Sequence, residues 1–378
     1  MFKKGNIKKA IRIFAIILIL TLITPTIANA EIKVHFQKVE PNANLYFFEE
    51  VYNLIKHYYP FEVDEDELIT KAIKAMLESL DPYSEYYTKD EVDNFYSSLY
   101  GSYTGIGLYI EEKDGYINVV KTMTGQPAEE AGIKAGDIII SVDGIDVKDL
   151  GVDKVSSMIK GPEGTKVKLQ VKRGDKILTF EVTRKVIEVS PVYYEIIEND
   201  IGYIKLEQFS SNATKEMKKA LEELDKKGIK KIILDLRDNP GGFFNEAVSV
   251  AQLFVPKGTI VYVKDKNGIL QRYDSYLKES KYQLVVLVNK NSASASEIVA
   301  GAIKDRKAGI LVGTRTFGKA LVQTVFPLND GGMIKLTTAV YLTPNKTLIN
   351  GVGIEPDYVV ENDGFEDLQL KKAIELLK

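Results

Sequence analysis

Cysteine is absent from the 378-residue sequence, and histidine occurs only at His35 and His57. Without cysteine the chain has no thiol nucleophile, no disulfide framework and no thiolate zinc site. Because both histidines lie near the amino end, a Ser-His-Asp triad in the body of the chain is excluded, and a histidine-bound catalytic zinc is implausible. Any acyl-transfer chemistry must therefore use another base.

The sequence also lacks a basic patch, and its formal net charge is −3. Nucleic acid is therefore not an expected partner, since phosphate contacts need clustered lysine and arginine. Hydrophobic residues make up 45% and charged residues 27%, which is typical of a globular protein. The length is enough for about two or three domains.

Residues 1–30 have the pattern of an export signal. Five cations and no acid accompany an apolar run from Ile13 to Ile23, and Ala28-Asn29-Ala30 supplies small residues for cleavage. An uncleaved signal anchor is the alternative, because the lengths of the two kinds of segment overlap. In both cases we expect the remainder to be extracytoplasmic, with membrane contact only through this segment if it stays uncleaved.

The rest of the chain changes character three times. We predict a multidomain α/β protein whose parts are a helical region over 31–100, a β-rich module over 101–185, an α/β core over 186–360 and a terminal helix over 361–378. In the core, strand-like runs alternate with helical ones, and KIILDL and LVVLV are continuous apolar runs typical of strands buried on both faces.

The segment QLVVLVNKNSASASEIVAGAIKD predicts a buried strand, a turn of small residues and a helix. This arrangement presents a serine at the carboxyl edge of the sheet, as in a nucleophile elbow, and the helix start favours a developing oxyanion. Ser292, Ser294 and Ser296 are equivalent candidates by spacing. The alternative is a tight loop in which serine only caps the helix.

The segment KIILDLRDNPGGFFNEAV has the same strand, loop and helix form. Its Asn239-Pro240-Gly241-Gly242 turn lets backbone amides approach a ligand closely, and these amides could face a carbonyl oxygen. An ordinary connection between a strand and a helix is the alternative.

Lys319 permits three interpretations. Gly313, Gly318 and Lys319 nearly match a phosphate-binding loop, but Ala320 replaces the magnesium-binding hydroxyl, and a strand is predicted where a helix should follow. As a base, Lys319 would have its pKa lowered by apolar neighbours, and Gln323 on the same strand face could orient its amine. The third interpretation is an ordinary surface lysine.

A rival set of motifs resembles penicillin-recognising enzymes. Ser157–Lys160, Ser210–Asn212 and Lys257–Thr259 mimic S-x-x-K, S-x-N and K-T-G in order. Two details argue against this set: Lys160 ends its helix at Gly-Pro, and the third element is transposed.

The β-rich module has features of a peptide-binding site. Gly105 and Gly107 precede a predicted strand, so the amides of this turn can form a nest for a carboxylate, and the strand edge can pair with a peptide. The helix VDKVSSMIK would form the opposite wall. A plain hairpin beside a core helix is the alternative.

Taken together, these segments resemble the carboxyl-terminal processing proteases, S41 family serine peptidases with an inserted PDZ domain. The resemblance covers nearly the whole mature chain and rests on motifs that occur in the family's order: DPYSEYYTKDE, YTGIGLYI, AGIKAGDIIISVDG, GPEGTKVKLQVKR, DLRDNPGG, VNKNSASASEIVAGAIKD, TFGKALVQ and NGVGIEPD. It implies a crotonase-like (ClpP/crotonase) α/β protease core, an inserted β-rich PDZ domain and an N-terminal helical region.

The resemblance also implies roles for individual residues. Ser294 would be the nucleophile, Lys319 the general base and Gln323 the residue that orients it, with no metal or organic cofactor. Amides of Gly241 and Ala295 would form the oxyanion hole. The PDZ domain would bind the carboxyl-terminal tails of protein substrates through residues of the turn and the facing helix: Gly105, Ile106, Gly107, Leu108, Val152, Val155 and Ile159.

Three further expectations follow from this interpretation. Docking of a tail would move the PDZ domain about a hinge near Lys160 and seat Gln323 against Lys319. The helical amino region and the terminal helix are candidates for a homodimer interface. A peptide-binding scaffold without turnover is the alternative from another functional class.

Overall fold

The structure is a computed structural model and describes residues 43–378, so the predicted export signal lies outside the described residues. Its amino-terminal part is mainly helical, as predicted. Helix α2 begins where the Asp64 side chain accepts a hydrogen bond from the Glu67 amide at 2.9 Å. The elements are α1 (Ala43–Tyr58), α2 (Glu65–Glu78), β1 (Glu85–Tyr87) and α3 (Lys89–Tyr100). None of the helices described is long and apolar enough to cross a bilayer.

The β-rich module follows directly. Its antiparallel sheet has the order β3-β4-β5-β7-β8 with β6 beside β5, and β2 pairs with β9 where the chain enters and leaves the module. In β7 alternate residues are buried, so Val167, Leu169 and Val171 face the module's own core. The elements are β2 (Ser102–Gly105), β3 (Leu108–Lys113), β4 (Tyr116–Thr122), α4 (Pro127–Glu130), β5 (Ile138–Val142), β6 (Ile145–Asp146), α5 (Val152–Ile159), β7 (Lys166–Arg173), β8 (Lys176–Thr183) and β9 (Lys185–Glu188).

The remaining chain alternates strands and helices, which confirms the α/β prediction. Its elements are β10 (Val192–Ile197), β11 (Ile201–Leu206), α6 (Ala213–Lys226), β12 (Lys231–Asp235), α7 (Phe244–Ala251), β13 (Gly258–Asp265), β14 (Leu270–Ser275), β15 (Gln283–Val288), α8 (Ala295–Asp305), β16 (Ile310–Gly313), β17 (Leu321–Pro327), β18 (Met333–Leu342), β19 (Tyr358–Val359) and α9 (Leu368–Leu377).

A six-stranded sheet of order β10-β11-β12-β15-β16-β19 forms the centre of this core. Its strands are parallel except β10, and Leu234 of β12 lies opposite Val286 of β15. Both strands are almost wholly buried, as their continuous apolar runs predicted. The carboxyl ends of β12 and β15 therefore lie side by side at one edge of the sheet, and the loops that follow them carry the two glycine- and serine-rich turns.

The chain forms two compact units that do not follow the order of the sequence. One comprises the described residues up to Val92 together with Val322–Ala339, and the other comprises Asp93–Leu321 together with Val340–Lys378. Within the first unit, β1 pairs antiparallel with β18, so that Glu85 lies opposite Lys335. The contiguous core predicted over 186–360 is thus interrupted, because most of the β17–β18 hairpin belongs with the amino-terminal region.

Candidate active site

The turn between β15 and α8 separates the three candidate serines. Ser292 and Ser296 are fully buried and donate to the backbone carbonyls of Leu236 and Asn239 at 2.8 and 2.9 Å. Ser294 is half-buried and directly precedes α8 with a φ of +54°. A serine held in this left-handed backbone region at a strand-to-helix corner has the geometry of a nucleophile elbow. Ser294 is therefore the serine whose exposure suits attack on a substrate.

The glycine turn after β12 approaches this corner closely. Gly241 has a φ of +105°, and a Cβ atom on it would lie 2.9 Å from the Ser294 Cβ and 3.0 Å from the Ala295 nitrogen, so a side chain is excluded there. The Gly241 N–H, however, donates to the Asn239 side-chain oxygen at 2.9 Å. The predicted oxyanion donors thus lie beside Ser294, but the Gly241 N–H would have to leave Asn239 before it could bind an oxyanion.

Lys319 lies in the loop between β16 and β17 and is half-buried. The strand begins only at Leu321, so the alternation of strand faces that was expected to align Lys319 with Gln323 does not apply. Its neighbours are mixed, because Ala320 is fully buried whereas Phe317 is 54% exposed. Since a strand follows this loop instead of a helix, it is not a phosphate-binding loop of the Walker type.

The buried carboxylate of Glu297 joins the backbones of Ser294 and Lys319. Its Oε2 accepts hydrogen bonds from the Ser294 and Lys319 amides at 2.9 and 2.8 Å, and its Oε1 accepts from the Thr316 hydroxyl and the Gly318 amide at 2.6 and 2.7 Å. Four donors compensate for the burial of a group that has no exposed surface. Glu297 thus fixes the nucleophile candidate relative to the base candidate.

Tyr341 makes the complementary connection through carbonyl oxygens. Its hydroxyl is directed to the carbonyls of Lys319 and Ser294 at 2.7 and 3.0 Å. Complete burial, and then the charge of Glu297, raise the pKa of this phenol well above its usual value, so it remains a neutral donor. Two buried side chains therefore bind the same two backbone segments, one through amides and the other through carbonyls.

The predicted peptide groove lies between β3 and α5. Strand β3 is at the edge of its sheet, as a peptide-pairing strand must be. The side chains of Ile106, Val155 and Ile159 are nevertheless buried in the module's hydrophobic core, and Leu108 and Val152 pack against that core half-buried. Three of these side chains are therefore core residues in this structure, and the peptide-binding role of the Gly105–Leu108 turn and of α5 stays a prediction.

The penicillin-type motif set falls on unrelated elements. Ser157 is exposed in the eight-residue helix α5 and donates to the Lys154 carbonyl at 2.6 Å, whereas Lys257 directly precedes β13 in the α/β core. The motif requires a serine at the start of a long buried helix, and Ser157 does not occupy such a position. The alternative is not supported.

Comparison with known proteins decides the family. The model of peptidase family S41 matches residues 200–360, a PDZ domain model matches 119–173, and a model of the activating protease CtpB N-terminal domain matches 16–91. The carboxy-terminal processing protease CtpA of Bacillus subtilis (strain 168) is 42% identical over 315 residues, which cover 82% of this chain and 67% of the relative. The chain belongs to peptidase family S41.

Other relatives agree with this family. A probable CtpA-like serine protease of Staphylococcus aureus (strain MSSA476) is 38% identical over 333 residues, covering 87% of this chain and 67% of the relative. The solved structure of a photosystem II D1 C-terminal processing protease matches with a TM-score of 0.51 and 33% identity, covering 88% of this chain and 90% of the other. This S41 peptidase is a carboxyl-terminal processing serine protease with a PDZ domain.

In this S41 peptidase, Gln323 lies on β17 within the first compact unit. Its side-chain nitrogen donates to the Thr337 hydroxyl of β18 at 3.3 Å. The Thr337 amide in turn donates to the Ser84 hydroxyl at 3.1 Å. The predicted orienting residue is thus itself held by a polar network that includes the DPYS motif.

Sequence reasoning missed Glu297, Tyr341 and Thr337. For Glu297 a signal existed, because Ser294-x-x-Glu297 matches the capping-box pattern in which a glutamate accepts from the N-cap amide. Tyr341 and Thr337 stand in a strand where aromatic and β-branched residues are ordinary. No local pattern distinguishes them from neighbouring strand residues.

Proposed function

We propose that Ser294 and Lys319 carry out the hydrolysis. Lys319, as the neutral amine, takes the Ser294 proton while the serine oxygen attacks the scissile carbonyl. The same proton then passes to the leaving amine, which frees an acyl-enzyme that water hydrolyses with Lys319 again as base. The Ala295 amide, with an amide of the Gly241-Gly242 turn, stabilises the oxyanion. The reaction needs no metal or organic cofactor.

One observation carries this proposal: the double connection between the backbones of Ser294 and Lys319. Glu297 accepts from both amides, and the Tyr341 hydroxyl is directed to both carbonyls. A general base must stay within hydrogen-bond reach of its nucleophile. Two buried polar side chains thus bind the backbones of the same two residues. This arrangement holds Ser294 in place relative to Lys319.

Gln323 completes the proposed apparatus by accepting an N–H of the Lys319 amine. This contact leaves the amine's lone pair free for the serine proton.

The PDZ domain selects the substrate. We propose that amides of the Gly105–Leu108 turn bind the free carboxylate of a protein's tail, while the edge of β3 pairs with the tail's backbone. Leu108 and Val152, half-buried beside the core, favour apolar terminal residues. With the predicted export signal, the substrates are extracytoplasmic proteins with disordered carboxyl-terminal tails.

We further propose that tail docking controls catalysis. The helix α5 ends where Arg184 donates to the Ile159 and Met158 carbonyls at 2.8 and 3.1 Å, and the Gly161 amide donates to the Thr104 carbonyl at 3.4 Å. The ribbon of β2 and β9 is therefore bound to the end of the helix next to Lys160. Movement of α5 would reach this ribbon directly, and removal of residues 101–185 should change the rate of cleavage as well as binding.

A homodimer through the helical amino region is part of the proposal. Helix α1 exposes large apolar side chains, among them Leu45, Phe47 and Tyr58 at 62, 65 and 72%. The terminal helix is a weaker candidate, because Ala373 and Leu377 of α9 are buried against the core sheet of their own chain. Sedimentation of the mature protein with and without α1 tests this assignment.

The central experiment incubates the mature protein with unfolded proteins that differ in their last residues. Ser294→Ala and Lys319→Met should each abolish cleavage, whereas the matched controls Ser157→Ala and Lys290→Met should cleave at the parent rate. A peptide-binding scaffold would be indifferent to Ser294→Ala. Labelling of Ser157 by a fluorescent penicillin, or undiminished cleavage by Lys319→Met, would contradict the proposal.

A further inference from the structure

The DPYS motif forms a hydrogen-bonded network around the Asp81 carboxylate. One carboxylate oxygen accepts from the Tyr83 and Ser84 amides at 2.8 and 2.9 Å, and the other accepts from the Ser84 hydroxyl at 2.8 Å. The Thr337 hydroxyl also contributes to lowering the pKa of this carboxylate. Burial would raise the pKa of Asp81, but the bonds from Ser84, Tyr83 and Thr337 outweigh it and lower the pKa, so the group remains a charged acceptor at neutral pH.

Strand pairing brings Thr337 to this network from the far end of the chain. Glu85 and Tyr86 of β1 lie opposite Lys335 and Ile334 of β18, which sets the DPYS turn beside the next residues of β18. There the Ser84 hydroxyl, 1% exposed as a residue, accepts from the Thr337 amide at 3.1 Å. Thr337 is therefore held at two points, by its amide and by its hydroxyl.

The network determines which end of the Gln323 amide faces Thr337. An ionised carboxylate only accepts hydrogen bonds, so the Thr337 hydroxyl, which helps to stabilise the charged Asp81, turns its proton toward that group. The Thr337 oxygen can then only accept, and it does so from the Gln323 nitrogen at 3.3 Å. The Gln323 side chain is consequently fixed with its NH2 group toward Thr337, which leaves its oxygen as the free end.

We propose that Asp81, Ser84 and Thr337 are positioning residues that orient the Gln323 amide so that its oxygen, and not its nitrogen, is offered to Lys319. This inference rests on the proposed role of Gln323. It assigns a purpose to the DPYS motif, which the reaction itself does not use. An amide turned the other way would donate an N–H to the lone pair of the neutral amine, which is the lone pair that must take the serine proton.

The test compares kcat and KM of full-length variants on one tail-bearing substrate. Thr337→Val should lower kcat about tenfold and leave KM within about twofold, since one orienting hydrogen bond is lost. Thr337→Ser, which keeps the hydroxyl, should restore kcat. Thr338→Val is the matched control, because Thr338 bonds to Thr324 at 2.7 Å in the same hairpin, and its kcat should match the parent. Ser84→Ala should reproduce the loss, with the exposed Ser79→Ala as its control.

A double-mutant cycle separates orientation from general stability. In a Gln323→Ala background, Thr337→Val should lower kcat no further, because its only path to the reaction is gone. Equal losses in both backgrounds, or equal kcat values for Thr337→Val and Thr338→Val, would overturn the positioning role while leaving that of Gln323 intact. If Gln323→Ala alone has the parent kcat, the proposed role of Gln323 is refuted. A lower kcat of Thr337→Val would then refute this inference as well, because the loss could not act through Gln323.

Discussion

The proposed catalytic corner around Ser294 and the proposed peptide groove of the PDZ domain are both built from a glycine-rich turn and a helix, yet they are held together by different interactions. At the corner, buried polar side chains specify the positions of Ser294 and Lys319 through directional hydrogen bonds. In the PDZ domain, Val155 and Ile159 hold α5 by packing in the apolar core, without such directionality. Proton transfer needs distances fixed within tenths of an ångström, whereas a groove for varied tails needs surfaces that adjust. Damage to the corner should therefore be abrupt, and damage to the groove graded.

The largest effect is expected for Glu297→Gln. Each carboxylate oxygen of Glu297 accepts two hydrogen bonds, so the NH2 group of a glutamine would oppose the Ser294 and Lys319 amides in one orientation and the Gly318 amide in the other. A buried donor left without an acceptor, together with the lost charge-assisted bonds, costs about 3 kcal/mol, and we expect kcat/KM to fall about 100-fold. Steady-state kinetics measure this loss. The exposed Glu279→Gln is the control, and a Glu297→Gln enzyme as active as this control would contradict the rigid corner.

A smaller effect is expected for Tyr341→Phe. This change removes only the hydroxyl directed to the Ser294 and Lys319 carbonyls and keeps the buried ring. We expect kcat to fall about tenfold with little change in KM, because one hydrogen bond of the double connection is lost. Tyr276→Phe, at a tyrosine 76% exposed, is the matched variant. A rise in KM with kcat unchanged would show that the hydroxyl acts on binding instead.

Val155→Ala tests the graded response of the groove. Val155 is fully buried, and its truncation should destabilise the PDZ domain by roughly 2 kcal/mol in denaturant unfolding. KM for a substrate with a free apolar tail should rise, while cleavage of the same substrate with an amidated tail should not change. Val120→Ala, at an exposed valine of β4, serves for comparison. If the preference for free tails over amidated tails is unchanged, α5 does not form a wall of the groove.

The smallest effect is expected for Asp137→Asn, and it depends on pH. The buried Asp137 carboxylate accepts from Arg173 at 2.6 and 2.7 Å. Burial would raise its pKa, but the Arg173 and Lys134 contacts outweigh it and lower the pKa below its usual value. A lowered folded pKa gives stability that is present above the unfolded value of about 3.9 and lost as pH falls through the folded value.

We therefore expect Asp137→Asn to lower the free energy of unfolding by roughly 1–2 kcal/mol at pH 7. The difference from the parent should shrink as pH falls below the unfolded value of about 3.9 and vanish once pH is below the folded value as well. Urea unfolding of both proteins at several pH values measures it, with the exposed Asp175→Asn as control. A difference that persists unchanged into acid would show that the carboxylate's charge is not its cause.

Much of the fold could be predicted from the sequence because its signals are local. Continuous apolar runs identified β12 and β15, and alternation identified β7. The short strands β1 and β2 escaped prediction, since three or four residues carry too little periodicity. The division into units escaped too, because the β17–β18 hairpin joins the amino-terminal region through contacts between residues about 250 positions apart.

By itself, the sequence determined the chemical class of the site. The lack of cysteine and the two amino-terminal histidines excluded a thiol nucleophile and a histidine base in the body of the chain, and the strand-to-helix turns placed the candidate serines at the edge of a sheet. Only the tertiary structure decided which serine is exposed, that Glu297 and Tyr341 bind the backbones of Ser294 and Lys319, and that Thr337 binds Gln323. Hydrophobic periodicity can be read from a single local segment of the sequence. A hydrogen bond between distant residues, in contrast, exists only once the chain has folded.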